Sequence, residues 1–207
     1  MKLYYSPGAC SLAPIILAEW LGIPMKVEKV NLRSPDDAFL KANPLGAVPA
    51  LILDDGTAMT QADAILAYLD DLATDTMMDG GDDIMERFEF HRWQAFLTGD
   101  YHPPFGTWFN PARYTSDHSE TGLSNVKAAT EERIRRVTNQ MEAQIGSGNH
   151  VVLGRRTLLD AYGYAMLRWL RILEQDLEPW PNIARFLSTM EQDAGVQAAL
   201  TREQSGQ

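Results

Sequence analysis

The feature that most constrains this 207-residue chain is a change of pattern about a third of the way along it. Before that point, short strand-like runs alternate with helix-like segments. After it, strand-like runs nearly vanish and apolar residues recur at helical spacing. The segment between, Thr74–Asp83, carries four aspartates and two glycines, which favour a solvated connection. The pattern therefore predicts an α/β domain over residues 1–74, a linker over 75–83 and an all-helical domain over 84–207.

The first domain is predicted to hold a mixed four-stranded sheet. A strand, helix, strand order implies a parallel pair of strands with a crossover. An Asp-Gly turn between the last two strand-like runs implies an antiparallel hairpin. The predicted strands are Lys2–Tyr5, Lys26–Asn31, Ala50–Leu53 and Thr57–Met59, and the predicted helices are Ser11–Leu21 and Gln61–Leu72.

The second domain is predicted to consist of helices followed by a polar tail. Pro103 and Pro104 follow His102 and should end or kink the first of these helices. Thr157 and Asp160 form a capping-box pattern that marks the start of a later helix. The predicted helices are Ile84–Tyr101, Val126–Ile145, Leu158–Glu174, Ile183–Thr189 and Val196–Leu200.

Composition excludes several classes of protein. A formal charge of −10 argues against broad nucleic-acid binding and against adhesion to anionic membranes, both of which need a clustered positive surface. The single cysteine, Cys10, cannot form an internal disulfide. An apolar content of 45% is that of a folded globular chain rather than a disordered one.

The sequence contains no run of about 18 apolar residues that could form a transmembrane helix. Ser6-Pro7-Gly8 interrupts the apolar stretch that a secretory signal would need. We therefore expect a mature protein of a reducing compartment, the cytoplasm.

Two short segments of the first domain are candidates for chemistry. Cys10 lies between a strand and a helix, where helix-end amides lower a thiol pKa and can also bind a ligand's thiolate or carboxylate. It is equally typical of a small buried apolar residue. Val48 and Pro49 enter the third strand. If their peptide bond is cis, the Val48 amide and carbonyl are free to pair with an extended ligand, although such prolines often only terminate a loop.

The four histidines show no metal-binding spacing, and no second cysteine exists, so no metal site is expected. His102, at the predicted helix break, is either a cleft-facing residue or an ordinary solvated one. The aromatic residues around it are either core or the wall of an apolar pocket. Patterns typical of serine hydrolases, P-loop enzymes and dinucleotide enzymes are missing.

Taken in order, the motifs resemble cytosolic glutathione transferases, and among them the bacterial beta class. The likeness covers nearly the whole chain. It is carried by Lys2-Leu3-Tyr4-Tyr5-Ser6-Pro7-Gly8-Ala9-Cys10-Ser11-Leu12-Ala13, Asn43-Pro44-Leu45-Gly46-Ala47-Val48-Pro49-Ala50-Leu51, Ala64-Ile65-Leu66-Ala67-Tyr68-Leu69, Asp160-Ala161-Tyr162 and Leu167-Arg168-Trp169.

The resemblance implies a thioredoxin-like first domain that binds glutathione as co-substrate, an all-helical second domain and a homodimer. Val48, before Pro49, would pair with the cysteinyl backbone of glutathione. Cys10 would lie beside its sulfur, and His102 would point at the same site. The acceptor pocket would be lined by Phe105, Phe109 and Trp169.

The sequence departs from the family pattern where the γ-glutamyl end of glutathione is held. An acidic residue followed by Ser or Gly is common there, whereas this chain has Gln61-Ala62, with Asp63 next. Pro103 stands where the beta class often has a basic residue. Arg33 is left as the candidate cation for the glycyl carboxylate.

The leading functional prediction is a detoxifying transferase that conjugates glutathione to a small hydrophobic electrophile. Cys10, Ser11 and Tyr5 are candidate donors to the sulfur, and the residues do not rank them. A second hypothesis is a thiol–disulfide or peroxide reductase that uses Cys10 through a mixed disulfide. A third is a relative that binds glutathione or another ligand without turnover.

Overall fold

A computed structural model describes residues 1–73, 78–173 and 177–206. The predicted mixed sheet in the first domain is confirmed, and one short helix joins the predicted elements between the second and third strands. These elements are β1 (Lys2–Tyr5), α1 (Leu12–Leu21), β2 (Lys26–Lys29), α2 (Asp37–Ala42), β3 (Ala50–Ile52), β4 (Ala58–Thr60) and α3 (Ala62–Leu72).

The sheet has the order β2-β1-β3-β4. The β1 strand pairs with β2 in parallel and with β3 antiparallel, and β3 pairs antiparallel with β4. The predicted hairpin turn is present: Gly56 has a φ of +87°, and the Leu53 N–H donates to the Thr57 carbonyl at 2.9 Å. The fourth strand lies one residue later than predicted.

The α1 helix connects the two domains through its packing. Seven consecutive residues of it, from Leu12 to Ala18, are buried, so the helix is covered on all sides rather than along one stripe. It packs against α3 of its own domain and against two helices of the second domain, α7 (Leu158–Leu167) and α10 (Ala194–Ser205). Because Cys10 lies just before α1, this packing places it where both domains meet.

In the part of the chain that the structure describes, everything after residue 83 is helical or loop. The elements are α4 (Ile84–Phe96), a π-helical turn (Leu97–Tyr101), α5 (His102–Phe109), a 3-10 turn (Pro111–Arg113), α6 (Glu120–Ile145), α7, α8 (Trp169–Ile172), α9 (Pro181–Gln192) and α10. None of the helices described is both long and apolar enough to span a bilayer. The predicted linker, 75–83, lies partly on residues outside the described ranges.

The backbone stays helical through His102. Tyr101 and His102 both keep right-handed helical dihedral angles, and the His102 N–H donates to the Leu97 carbonyl, five residues earlier. A wider π-helical turn thus precedes the two prolines, which have no N–H to donate to the preceding turn. The expected interruption is therefore a local widening that leaves His102 at the start of α5.

The helix predicted over Leu158–Glu174 is wrong in its length, and Glu174 lies outside the described residues. The α7 helix ends at Leu167, and Arg168 forms a tight turn in which the Arg171 N–H donates to its carbonyl at 3.2 Å. Half of the predicted capping box is confirmed at the start of α7: the Asp160 carboxylate accepts from the Thr157 N–H at 2.8 Å, whereas Thr157 Oγ1 makes no hydrogen bond among the described residues.

The expected polar tail is also wrong. The α10 helix continues to Ser205 and buries Val196, Ala199 and Glu203 on one face. Only two of those three residues are apolar, so hydrophobic periodicity could not reveal that the whole helix packs.

Candidate functional site

A cleft of about 250 Å³ lies where the two domains meet. The first domain contributes the residue before α1, the loop before β3 and the start of α3. The second domain contributes the π-helical turn, α5 and α7. The lining residues are Cys10, Asn43, Leu45, Ala47, Val48, Pro49, Gln61, Ala62, Asp63, Thr98, His102 and Tyr162.

Cys10 lies at this cleft as a neutral thiol. Its Sγ donates to the Val48 carbonyl at 3.5 Å, and only 7% of the residue is exposed. Burial raises the pKa of Cys10 to about 12, against the smaller opposing effects of its own amide, the Arg168 charge and the Ser11 amide. The helix-end amides lower the pKa as expected, but loss of hydration outweighs them. Cys10 is therefore a hydrogen-bond donor at neutral pH.

The loop before β3 presents Val48 to the cleft. The Val48–Pro49 peptide bond is cis. Buried Asn43 braces the loop: its Nδ2 donates to the Ala47 carbonyl at 2.6 Å, and its Oδ1 accepts from the Leu45 N–H at 3.2 Å. The Val48 N–H makes no hydrogen bond within the described residues. It is therefore available to an extended ligand.

The start of α3 is the second helix N-terminus at the cleft. Gln61 precedes the helix with a φ of +72°, and its side chain makes no capping hydrogen bond. The first amides of α3 are thus left for a ligand anion. Asp63, in the first turn, accepts from Gln94 Nε2 of α4 at 2.8 Å. Burial raises the pKa of Asp63, and the Gln94 hydrogen bond partly counteracts this.

His102 faces the cleft beside Tyr162. Its Nδ1 lies 2.9 Å from the Tyr162 hydroxyl. Burial lowers the pKa of His102 and raises that of Tyr162, so both are neutral near pH 7. With Tyr162 donating to Nδ1, the ring proton sits on Nε2, which becomes a further neutral donor.

The three aromatic residues expected in the acceptor pocket cluster behind His102. Trp169 is central: its ring lies 5.3 Å from that of His102, 5.2 Å from Phe105 and 5.7 Å from Phe109. Trp169 Nε1 donates to the Gly8 carbonyl at 2.7 Å. Phe105 and Trp169 are buried, whereas 40% of Phe109 is exposed. None of the three lines the 250 Å³ cleft itself.

Three other predicted residues are not brought to the cleft. The Tyr5 hydroxyl donates to the Glu203 carbonyl at 3.1 Å. Ser11 Oγ lies within the loop, accepting from the Ser6 N–H at 3.2 Å. Arg33 lies on a separate surface beside β2. Ser11 thus holds the loop around Cys10, Tyr5 links the end of β1 to α10, and Arg33 is not among the residues that line the cleft.

A buried ion pair from the second domain supports the Cys10 loop. Arg168 donates to both carboxylate oxygens of Glu203, at 2.8 and 3.0 Å, and to the Ala9 carbonyl at 3.3 Å. Glu203 Oε1 also accepts from the Gly8 N–H at 3.0 Å. The Arg168 side chain is 14% exposed and that of Glu203 7%. This arrangement fixes the loop from the far end of the chain.

Sequence reasoning missed several of these residues as site residues. Tyr162 and Arg168 stood inside motifs that pointed to the family, and Asp63 stood next to the altered Gln61-Ala62 pair. Those positions could have been proposed from the sequence. Glu203 has no such signal, because a glutamate in a polar helix is typical of a solvated face. Among the described residues, no three His, Cys, Asp or Glu side chains come together as metal ligands would.

Comparisons with known proteins agree with this geometry. The family model for the N-terminal domain of glutathione S-transferases matches residues 8–72, and the model for their C-terminal domain matches residues 106–193. A glutathione S-transferase of Xanthomonas campestris is 36% identical over 206 residues, covering 98% of each chain.

Solved structures are similar along the same length. A glutathione S-transferase from Xylella fastidiosa superposes with a TM-score of 0.88 at 34% identity, covering 98% of each chain. A sphingomonad glutathione S-transferase in complex with glutathione gives a TM-score of 0.84 at 30% identity, covering 99% of this chain and all of that one. The chain therefore belongs to the glutathione S-transferase family.

Proposed function

We propose that this protein binds glutathione in the cleft and conjugates it, through its thiolate sulfur, to a small hydrophobic electrophile. The observation that carries the proposal is the meeting of three features in one cleft: Cys10, the unpaired Val48 N–H and the open N-terminus of α3. An extended γ-glutamyl peptide has a backbone for Val48 and a terminal carboxylate for the α3 amides. Its central thiol then lies on the Cys10 side.

The catalytic step needs a stabilised thiolate. Two neutral donors stabilise a developing negative charge on the sulfur without adding a competing one. They are the His102 Nε2–H and the Cys10 S–H, which would turn to the ligand sulfur from the Val48 carbonyl that accepts it in the free protein. The glutathione thiol gives its proton to solvent. The sulfur electron pair then forms a bond to the electrophilic carbon, and the leaving group departs with its own pair or the π-electrons shift to the acceptor.

The electrophile would lie at the edge of the aromatic cluster, where Phe109 is exposed. Such a surface favours flat apolar molecules. We expect Phe109→Ala to raise the KM for an aromatic electrophile by about threefold to tenfold and to leave the KM for glutathione unchanged. Equal changes in both constants would contradict this placement.

Calorimetry tests the function directly. Glutathione at millimolar concentration should bind the protein and raise its melting temperature. A panel of aryl halides, epoxides and conjugated carbonyls should then reveal turnover. No binding would contradict the proposal. Binding without turnover on any electrophile would favour a ligand-binding relative instead.

Thiol–disulfide exchange through Cys10 is the second candidate, because Cys10 is the cysteine at the cleft. Its thiolate would attack glutathione disulfide, forming a protein–glutathione disulfide and releasing one glutathione thiolate. The raised pKa of Cys10 disfavours this at neutral pH. Mass spectrometry after incubation with glutathione disulfide tests it: no added glutathione on Cys10 would exclude the exchange.

The homodimer and the cytoplasmic location are part of the same proposal. Three large apolar side chains on α4, Ile84, Met85 and Phe88, are 71%, 62% and 56% exposed. A contiguous apolar face of this kind favours association with a second copy. Sedimentation should give a dimer, and Phe88→Asp should shift it toward monomer.

A further inference from the structure

Asp63 is the one acidic or basic side chain, histidine aside, among the described residues that line the cleft. It stands next to Gln61-Ala62, where the sequence departs from the family pattern. No Lys or Arg is among the residues that line the cleft. Asp63 forms no ion pair within residues 1–73, 78–173 and 177–206. Burial makes this half-buried carboxylate costly and raises its pKa, and neither the Gln94 hydrogen bond nor the smaller favourable effect of His91 offsets that cost. A ligand cation would remove that cost.

The carboxylate is also held in place. Gln94 Nε2 donates to Asp63 Oδ1, and Gln94 Oε1 lies 2.8 Å from His91 Nδ1. The His91 contact fixes which end of the Gln94 amide faces Asp63. Asp63 Oδ2 makes no side-chain hydrogen bond among the described residues. One oxygen is thus anchored to α4, while the other remains to bind a donor.

The neighbouring positions cannot supply this charge. Gln61 is neutral and exposed, and Ala62 has no hydroxyl. The α3 amides suit a carboxylate but repel a cation. Of the first three residues at this helix start, Asp63 alone carries a negative charge that can pair with an ammonium group, whereas Gln61 could offer only its neutral amide oxygen.

We propose that Asp63 binds the γ-glutamyl ammonium of glutathione, while the first amides of α3 bind the adjacent carboxylate. The proposal rests on the proposed function and assigns the acidic contact to position 63 instead of position 61. A zwitterionic end group fits this helix start because its two opposite charges face an amide cluster and a carboxylate. The protein consequently selects thiol peptides that carry a free amino group at this end.

The test compares glutathione with glutaryl-cysteinyl-glycine, which is glutathione with hydrogen in place of the amino group. Calorimetric Kd values for both ligands are measured on the unmodified protein, on Asp63→Asn and on Asp37→Asn. Asp37 is the matched control, because it is an exposed carboxylate in the first turn of α2.

We expect the unmodified protein and Asp37→Asn to bind glutathione roughly 10- to 100-fold more tightly than the analogue. In Asp63→Asn this ratio should fall to within about threefold of unity, through loss of glutathione affinity alone. Gln61→Glu added to Asp63→Asn should restore part of the ratio, because it returns a carboxylate to the same helix start. The melting temperature of each variant reports that it is folded.

The remaining outcomes overturn the proposal in different ways. An unchanged ratio in Asp63→Asn would place the ammonium contact elsewhere. Equal weakening for both ligands would make Asp63 a purely structural partner of Gln94. If neither ligand binds the unmodified protein, the proposed function fails, and the role of Asp63 fails with it. In the first two outcomes glutathione still binds the unmodified protein, so only the role of Asp63 fails.

Discussion

The two ends of the cleft both use a helix N-terminus, but the side chains beside it are neutral at one end and include a carboxylate at the other. At the α1 end, the groups that face the ligand are neutral: the Cys10 thiol and the His102–Tyr162 pair. At the α3 end, the open helix N-terminus stands beside the Asp63 carboxylate. Helix-end amides favour an anion in both places. The side chains then decide whether the site takes a lone anion or a zwitterion.

Support for the two ends also differs. The α1 end is held by the buried Arg168–Glu203 ion pair, which reaches the Gly8 N–H and the Ala9 carbonyl. The α3 end is held by one neutral amide, Gln94. A charged, buried support tolerates perturbation less than a neutral one. The variants below are ordered by how strongly they should disturb this contrast.

The largest expected effect is on the alkylation rate of Cys10, because its thiol is neutral at physiological pH. With a pKa of about 12, the thiolate fraction at pH 8 is roughly 1000-fold below that of an ordinary cysteine. Alkylation by iodoacetamide should therefore be slow, and its rate should still rise about tenfold per pH unit between pH 8 and 10. The rate for N-acetylcysteine, the control, should level off about one pH unit above the ordinary thiol pKa of about 8.5. A plateau at pH 7 or 8 in the protein would show a stabilised Cys10 thiolate.

Removing the charge of Glu203 is next in size. Glu203→Gln leaves the Arg168 guanidinium buried without its carboxylate, and we expect a loss of about 3 kcal/mol in the free energy of unfolding. Urea denaturation measures it. Glu191→Gln is the matched control, since Glu191 pairs with Arg171 at an exposed site and should cost less than about 1 kcal/mol. Similar losses in both variants would contradict the special role of the buried pair.

The third effect is a pH dependence from His102. Because burial lowers its folded-state pKa, the unfolded chain binds more protons below about pH 6.5. Stability from this group is complete above that pH and declines as pH falls, by less than about 1.4 kcal/mol per pH unit. His102→Asn should flatten the acid side of the stability curve, whereas the same change at exposed His118 should not. A steeper curve in His102→Asn would mean that the folded state holds the charged ring.

The smallest effect is at the neutral support of Asp63. Gln94→Leu removes the hydrogen bond that lowers the pKa of Asp63, so the carboxylate should protonate at higher pH. Glutathione affinity should fall by about threefold to tenfold at pH 5.5 and by less at pH 8. The control is Gln140→Leu, at an exposed position on α6. A loss independent of pH would separate Gln94 from the titration of Asp63.

The sequence predicted the fold well because the first domain follows local rules. In that domain the strand-like runs and the Asp-Gly turn are each encoded within a few residues, and in the second domain Thr157 and Asp160 mark the start of α7 in the same local way. The predictions fail where contacts between residues far apart in the chain determine the structure. The α10 helix has too few apolar residues to be recognised, and Arg168 interrupts α7 with a side chain that binds Ala9 and Glu203.

The candidate site was predictable in part for the same reason. Cys10, Val48 and Gln61 each lie near the end of a strand or helix. The order of the motifs along the chain places these ends at one edge of the first domain. The structure directs the Tyr5 hydroxyl to Glu203 and the Ser11 hydroxyl to Ser6, and it leaves Arg33 on another surface. The partner of Tyr5 lies in the second domain, which no local pattern in the first domain can encode.

The hydrogen bond between Gly8 and Glu203 has a consequence for folding during synthesis. Gly8 donates to a carboxylate that the ribosome adds 195 residues later, and Tyr5 donates to the main chain at that same late residue. The first domain can form its sheet as soon as it emerges, because its strands are near neighbours in the chain. The loop that presents Cys10 must wait for α10. The cleft is therefore incomplete until α10 has been synthesised, and a fragment that lacks α10 would lack the Glu203 contacts that support the sulfur site.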